Sequence, residues 1–247
     1  MTATALDRAI DLPVVIDSPD AEIEGDWSVP LHPKGTVLIV NCTDSGRFSR
    51  RNRQLAHNLY DDGFAILILD LLTHAEEVEN NLTGAVQIDV GLFADRITAA
   101  AKWVQAQHNV GHLPVGVIAS GAASAGALIA ASKSPDTFQA IVSKNGRPDL
   151  AGIRLHKVMT PCLMIVGESD KRCSELNRWA LRRLDCEKNM VAVPGSGHFF
   201  EEPGAIDTVA QLAATWFARY MKVRLPRGRS IFSLSWTEKP RYSVGNR

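Results

Sequence analysis

Long apolar runs are missing from this chain of 247 residues. No stretch approaches the roughly 18 apolar residues that a membrane-spanning helix needs, so no membrane partner is expected. The opening MTATALDRAIDLP lacks a basic stretch followed by an apolar one, and no secretory leader is expected from it. Four cysteines, Cys42, Cys162, Cys173 and Cys186, form no C-x-x-C pair and keep no metal-ligand spacing with the seven histidines. That pattern argues against structural zinc and for a reducing, cytoplasmic setting. No internal repeat stands out, no aromatic and basic module of the nucleic-acid-binding kind is present, and nothing in the sequence implies a metal, nucleotide or organic cofactor.

With 45% apolar and 22% charged residues, the chain can build one sizeable α/β domain whose core needs no cross-links. Its net charge of zero conceals an asymmetry. Residues 222–247 carry seven basic groups against the single acid Glu238, which leaves 20 basic and 26 acidic groups in residues 1–221. We therefore read a domain over 1–221 and a basic extension over 222–247. The extension is expected to be solvated or docked on its own acidic body. Within it Phe232, Leu234 and Trp236 alternate with serines, a half-buried strand signal that leaves open pairing with a sheet edge of this chain or of a second copy.

Along the domain, strand and helix signals alternate. Residues 12–17 and 22–27 flank the turn-forming Ser18, Pro19 and Asp20 and predict a hairpin. TVLIVN at 36–41 and FAILILD at 64–70 are runs of the kind buried on both faces of a parallel sheet. A helix between them ends near Gly63, with Ser49 as its expected N-cap. Residues 71–91 hold acids but no Lys or Arg and are expected to form a surface excursion. Phe93, Ile97, Ala100 and Val104 predict a helix. Further strands are expected at 115–119, 138–143, 161–166 and 188–193. A helix through Leu176, Ala180 and Leu184 follows, and a last one starts at Pro203. The fold class is α/β: a mostly parallel sheet covered on both faces. Only residues 144–160 separate two of the strands, too few for a large cap.

The stretch VGVIASGAASAGALIAASKS, residues 115–134, reads as buried strand, sharp turn and buried helix with small residues at the turn. It resembles the nucleophile elbow of α/β-hydrolases. SRRNRQLAHNLYDDGFAILILDLLT, NGRPDLAGIRLHKVMTPCLMIVGESD and LNRWALRRLDCEKNMVAVPGSGHFFEEPGA extend this resemblance, over about residues 36–221, to the small hydrolases of the dienelactone-hydrolase type. The resemblance implies a capless α/β-hydrolase domain acting on a small ester, lactone or related ligand, with a catalytic nucleophile, acid and His in that order.

Asp170 and His198 fall on the acid and the His. In the ungapped register the nucleophile falls on Gly121, which has no side chain to attack with. Shifting the turn by one residue brings Ser120 to the elbow at the expense of placing Ile118 where a small residue is wanted. Ser124 lies about one helical turn too deep, and Cys42 is a further thiol in the neighbourhood. Where the family commonly has His-Gly-Ser-Gly as its oxyanion loop, this chain has Asn41, Cys42, Thr43 and Asp44, and Asp44 opposes a developing negative charge. Arg47 and Arg51 match the family and are expected as charge anchors at the pocket rim.

Three functions follow. The first is a degenerate serine-hydrolase site that binds a ligand or keeps residual hydrolysis. The second is an active ester or lactone hydrolase using Ser120, or less readily Ser124, with His198 and Asp170. The third is general-base catalysis by the His198 and Asp170 dyad without a covalent intermediate.

Overall fold

The computed structural model describes residues 12–41, 46–83 and 89–222. Cys42 and Thr43 of the expected oxyanion loop and the 232–236 strand signal lie outside the described residues. Eight strands form one sheet in the order β1-β2-β4-β3-β5-β6-β7-β8. β1 (Leu12–Asp17) and β2 (Glu22–Ser28) are the expected hairpin, and β2 joins β4 (Ala65–Asp70) antiparallel. From β4 onward, β3 (Thr36–Asn41), β5 (Val115–Gly121), β6 (Ala140–Gly146), β7 (Cys162–Gly167) and β8 (Lys188–Val193) all run parallel.

The apolar runs go where two-sided burial is available. Every residue of β3, β6 and β7 is buried, while β8, at the far edge, keeps an exposed side. Alternation divides the core. Leu38, Val40, Val117 and Ala119 pack with α3 (Val90–Gln105) and α4 (Ala123–Lys133), and Val37, Ile39 and Ile118 pack with α1 (Arg50–Asp61) and α6 (Ala205–Tyr220). α5 (Lys171–Leu181) adds Ala180 to the first of these layers. No described helix is long and apolar enough to cross a membrane.

Three differences from the sequence reading matter here, and one connection follows it. The acidic excursion contains α2 (His74–Thr83). β6 runs three residues past Ser143, through Lys144 and Asn145 to Gly146, because β5 and β7 continue to pair with it. The connection expected to carry no large cap is a 3-10 segment, Pro148–Lys157. The last helix begins at Ala205, since Gly204, at φ 79°, forms its N-cap and Pro203 stays in the preceding turn.

Why α2 forms there is explained by Arg96. This residue of α3 is fully buried, and its guanidinium donates to Glu76 of α2 at 2.6 and 2.7 Å, to the Leu71 carbonyl at 2.6 Å and to Asp20 in the β1–β2 turn. Glu76 also accepts from the Thr73 N–H at 2.8 Å, so one carboxylate caps α2 and neutralises a buried cation. Arg96 holds both carboxyls below their ordinary values of 3.8 for Asp20 and 4.5 for Glu76, against the opposing effect of burial. Depressed carboxyls contribute stability above those values and lose it as the pH falls through the depressed ones. Arg96→Met should therefore destabilise by roughly 3 kcal/mol at pH 7. In urea unfolding, its gap from the parent should narrow as the pH drops below 4.

Candidate active site

The candidate site opens at the carboxyl ends of β3, β5 and β6, beneath the first turn of α1. Asn41, Ser120 and Lys144 continue the alternation of Ile39, Ile118 and Val142, so all three project from the α1/α6 face of the sheet. Ser120 and Lys144 are direct register partners across β5 and β6. The three line a cavity of about 100 Å³ with Arg51, Asn52 and His198. A larger depression of about 550 Å³, between β1 and α3, is lined by Val15, Asp17 and Trp103 and holds none of these groups.

Asp170 and His198 are brought together as the sequence reading expects. Asp170 is the N-cap of α5, accepting the Cys173 N–H at 2.9 Å with one oxygen while the other meets His198 Nδ1 at 2.5 Å. Burial raises its pKa, but the Cys173 N–H and the imidazole outweigh this and hold the carboxyl below its ordinary range. An ionised Asp170 in contact with Nδ1 fixes the tautomer and leaves Nε2 to exchange protons. The loop bearing His198 lies so close to the end of β7 that a Cβ on Gly167 would stand 2.2 Å from the Gly197 carbonyl oxygen.

Asn145 fastens these pieces together. Its backbone is left-handed, at φ 43°. Its Oδ1 accepts the Gly167 N–H at 2.9 Å, and its Nδ2 donates to the carbonyls of His198 and Gly197. One amide thus joins the ends of β6 and β7 to the His198 loop.

The candidate nucleophiles fare differently. Gly121 ends β5 at φ 55°, just after a shift of register at Ser120, in the backbone region that side-chain-bearing residues seldom occupy. Ser120 is half-buried and lines the cavity. Ser124 is fully buried in α4 and its hydroxyl donates to the Ala119 carbonyl at 2.8 Å, which turns it away from the cavity. Asn41 is buried, and its Nδ2 has no hydrogen-bond partner among the described residues.

The two arginines separate. Arg51 lines the cavity and pairs with Glu201 at 2.9 Å. Arg47, expected at the same rim, is drawn elsewhere by acids: it pairs with Glu24 and with Asp70 at 3.4 Å, and its N–H donates to Asp70 at 2.8 Å. Ser49 stands at the N-cap of α1, but its side chain makes no capping bond.

Cys173, Asp170 and His198 offer three ligand atoms within 4.8 Å of one another. Burial, with the charges of Asp170 and Asp149, pushes the Cys173 thiol up to about 12. It is therefore a protonated thiol at neutral pH, a poor metal ligand and a poor nucleophile.

Lys144 and Asn145 were beyond the reach of the sequence reading, which ends the strand at Ser143. Lys144 is buried, and its Nζ donates to Asn52 Oδ1 at 3.1 Å. Among the described residues it forms no ion pair. Burial first, and the like charge of Arg51 second, bring its pKa down from 10.5 to about 8.

Strand order, crossover pattern and a polar cleft at the strand-to-helix turn after β5 define an α/β-hydrolase fold. Comparison with known proteins narrows this. The crystal structure of dienelactone hydrolase from Anabaena variabilis is 38% identical, with a TM-score of 0.82 over 86% of this chain and 98% of that one. A dienelactone hydrolase-like promiscuous phosphotriesterase from metagenomic libraries, 18% identical, superposes with a TM-score of 0.68 over 86% of this chain and 99% of that one. Two curated proteins of Mycobacterium tuberculosis, both provisionally named phosphoribosyl transferases, are 37% identical over 225 residues, 89% of this chain and 50% of theirs. The chain spans about half the length of these curated relatives. No protein-family model matches. The chain belongs to the dienelactone-hydrolase-like family of α/β-hydrolase-fold proteins.

The depressed Lys144 makes a stability prediction. A lysine whose folded pKa lies below its unfolded one opposes folding while it must lose its proton or bury its charge. That penalty fades as the pH rises from about 8 towards 10.5. Lys144→Met should therefore be more stable than the parent at pH 7 by up to about 3 kcal/mol. Denaturant unfolding at pH 7 and pH 10.5 should show this advantage disappearing at the higher pH.

Proposed function

We propose that this protein is a dienelactone-hydrolase-like binder of a small ester, lactone or related ligand whose ordinary serine hydrolysis has been lost at the nucleophile position. The observation that carries this reading is Gly121. It occupies the left-handed turn between β5 and α4, where hydrolases of this fold hold their nucleophile, and it has no side chain. What remains is a small polar cleft lined by Asn41, Arg51 and an oriented His198. Residual turnover in such a site runs through His198 as a general base on water.

A second reading is favoured by one observation: Ser120 lines the same cavity as His198. In that reading Ser120 is the nucleophile and the elbow is displaced by one residue. The transferase name of the curated relatives is assigned, in our reading, to the half of them outside the match, since the matched half is a hydrolase fold in this chain. Unpaired Cys162, Cys173 and Cys186 are consistent with a reducing, cytoplasmic setting.

Intact-protein mass spectrometry after incubation with a fluorophosphonate separates the readings. The parent should acquire no stoichiometric adduct, whereas Gly121→Ser should acquire one on the new hydroxyl and lose it when His198→Ala is added. A parent adduct mapped to Ser120 and abolished by His198→Ala would overturn the first reading in favour of the second. Any slow ester hydrolysis by the parent should survive Ser120→Ala and Ser124→Ala but fall at least tenfold in His198→Ala.

A further inference from the structure

Lys144 has no part in serine hydrolysis, and its surroundings are unusual for a buried lysine. Burying an ammonium group is expensive unless a carboxylate compensates it. Among the described residues, Asp170 is engaged with His198 and Glu201 with Arg51. Among those same residues Nζ forms no ion pair and donates to a neutral acceptor, Asn52 Oδ1. Asn41, nine-tenths buried, lines the same cavity. Arg51 adds a fixed positive charge at the cavity wall. The cleft thus combines an amine, a cation and a proton carrier in His198.

We propose that Lys144 is an imine-forming residue and that the cleft takes a small aldehyde or ketone bearing a carboxylate. The nitrogen lone pair of the neutral amine attacks the carbonyl carbon, and the C=O π pair moves to oxygen. That oxygen takes a proton from the His198 imidazolium, and the nitrogen returns one to it. The carbinolamine then expels its hydroxyl group, protonated by His198, as water, the nitrogen lone pair forms the C=N bond to Lys144, and the protonated imine gives its proton back to His198. Amine and carbonyl compound give imine and water, with no oxidant or reductant consumed. Arg51 holds the carboxylate of the ligand. Desolvation beside a second cation is the environment that makes a lysine nucleophilic near neutral pH, and a pKa of about 8 leaves an appreciable neutral fraction there. The proposal goes beyond the hydrolase reading and stands whether or not Ser120 reacts with a fluorophosphonate.

Reductive trapping tests it on the full chain. The protein is incubated at pH 7 with glyoxylate and sodium cyanoborohydride, in parallel with acetaldehyde and the same reductant, and each of the nine lysines is quantified by peptide mapping. The other eight are internal controls, so the ratio of labelling at Lys144 to labelling elsewhere cancels the differing reactivity of the two carbonyls. With glyoxylate Lys144 should label at least tenfold faster than the rest, and the ratio should be several-fold lower with acetaldehyde. In Lys144→Arg, which keeps the charge, the fast adduct should vanish while the surface lysines label as before. Labelling of Lys144 no faster than the others would overturn the proposal. A fast Lys144 with equal ratios for both carbonyls would overturn the carboxylate preference.

Discussion

The site depends on one amide. Asn145 receives the Gly167 N–H and donates to the carbonyls of His198 and Gly197, so that the last residues of β6 and β7 and the loop after β8 share a single side chain. The loop is otherwise held by backbone contacts and by two acids, Glu168 on the Gly195 N–H and Glu202 on the Gly197 N–H, both at 2.9 Å. Buried amides that satisfy both donor and acceptor rigidify what they join. His198 is half-exposed and would otherwise sample many positions; its place over the cleft follows from the backbone that Asn145 fixes. Asn145 is thus a positioning residue, and its left-handed φ is the strain accepted to aim one amide at two neighbours.

How much of this was legible in the sequence varies with the physical signal. Continuous apolar runs marked β3, β4 and β7, because burial on both faces demands them, and Asp170 and His198 were recoverable from their loops after β7 and β8. Lys144 and Asn145 were not. They follow an apolar run, so a reading based on hydropathy ends the strand before them, yet β5 and β7 supply ladder partners that extend β6. Polar residues at the carboxyl ends of parallel strands are hidden in this way, since their burial comes from neighbours and not from their own character. α2 was hidden for the converse reason. Its helical start depends on Glu76, whose partner Arg96 is 20 residues away in sequence.

Arg47 and Arg51 show where a family match misleads. Four positions apart, they look interchangeable as rim cations. Three acids on the β2/β4 side, Glu24, Asp26 and Asp70, gather around Arg47, whereas among the described residues only the exposed Glu201 pairs with Arg51. Charge compensation by neighbours distant in sequence decides which of the two faces the cleft.

The charges within the cleft also bear on which chemistry it favours. Acyl transfer through a hydroxyl turns His198 into an imidazolium, and that cation would stand in one small cavity with Arg51 and, below pH 8, a protonated Lys144. Asp170 answers His198 and Glu201 answers Arg51, whereas Lys144 forms no ion pair among the described residues, and like charges at short range disfavour one another's ionised forms. An anionic ligand would supply the missing compensation. With Gly121 offering no hydroxyl and Lys144 meeting no carboxylate among the described residues, it is the lysine's charge that the proposed carboxylate-bearing ligand would answer.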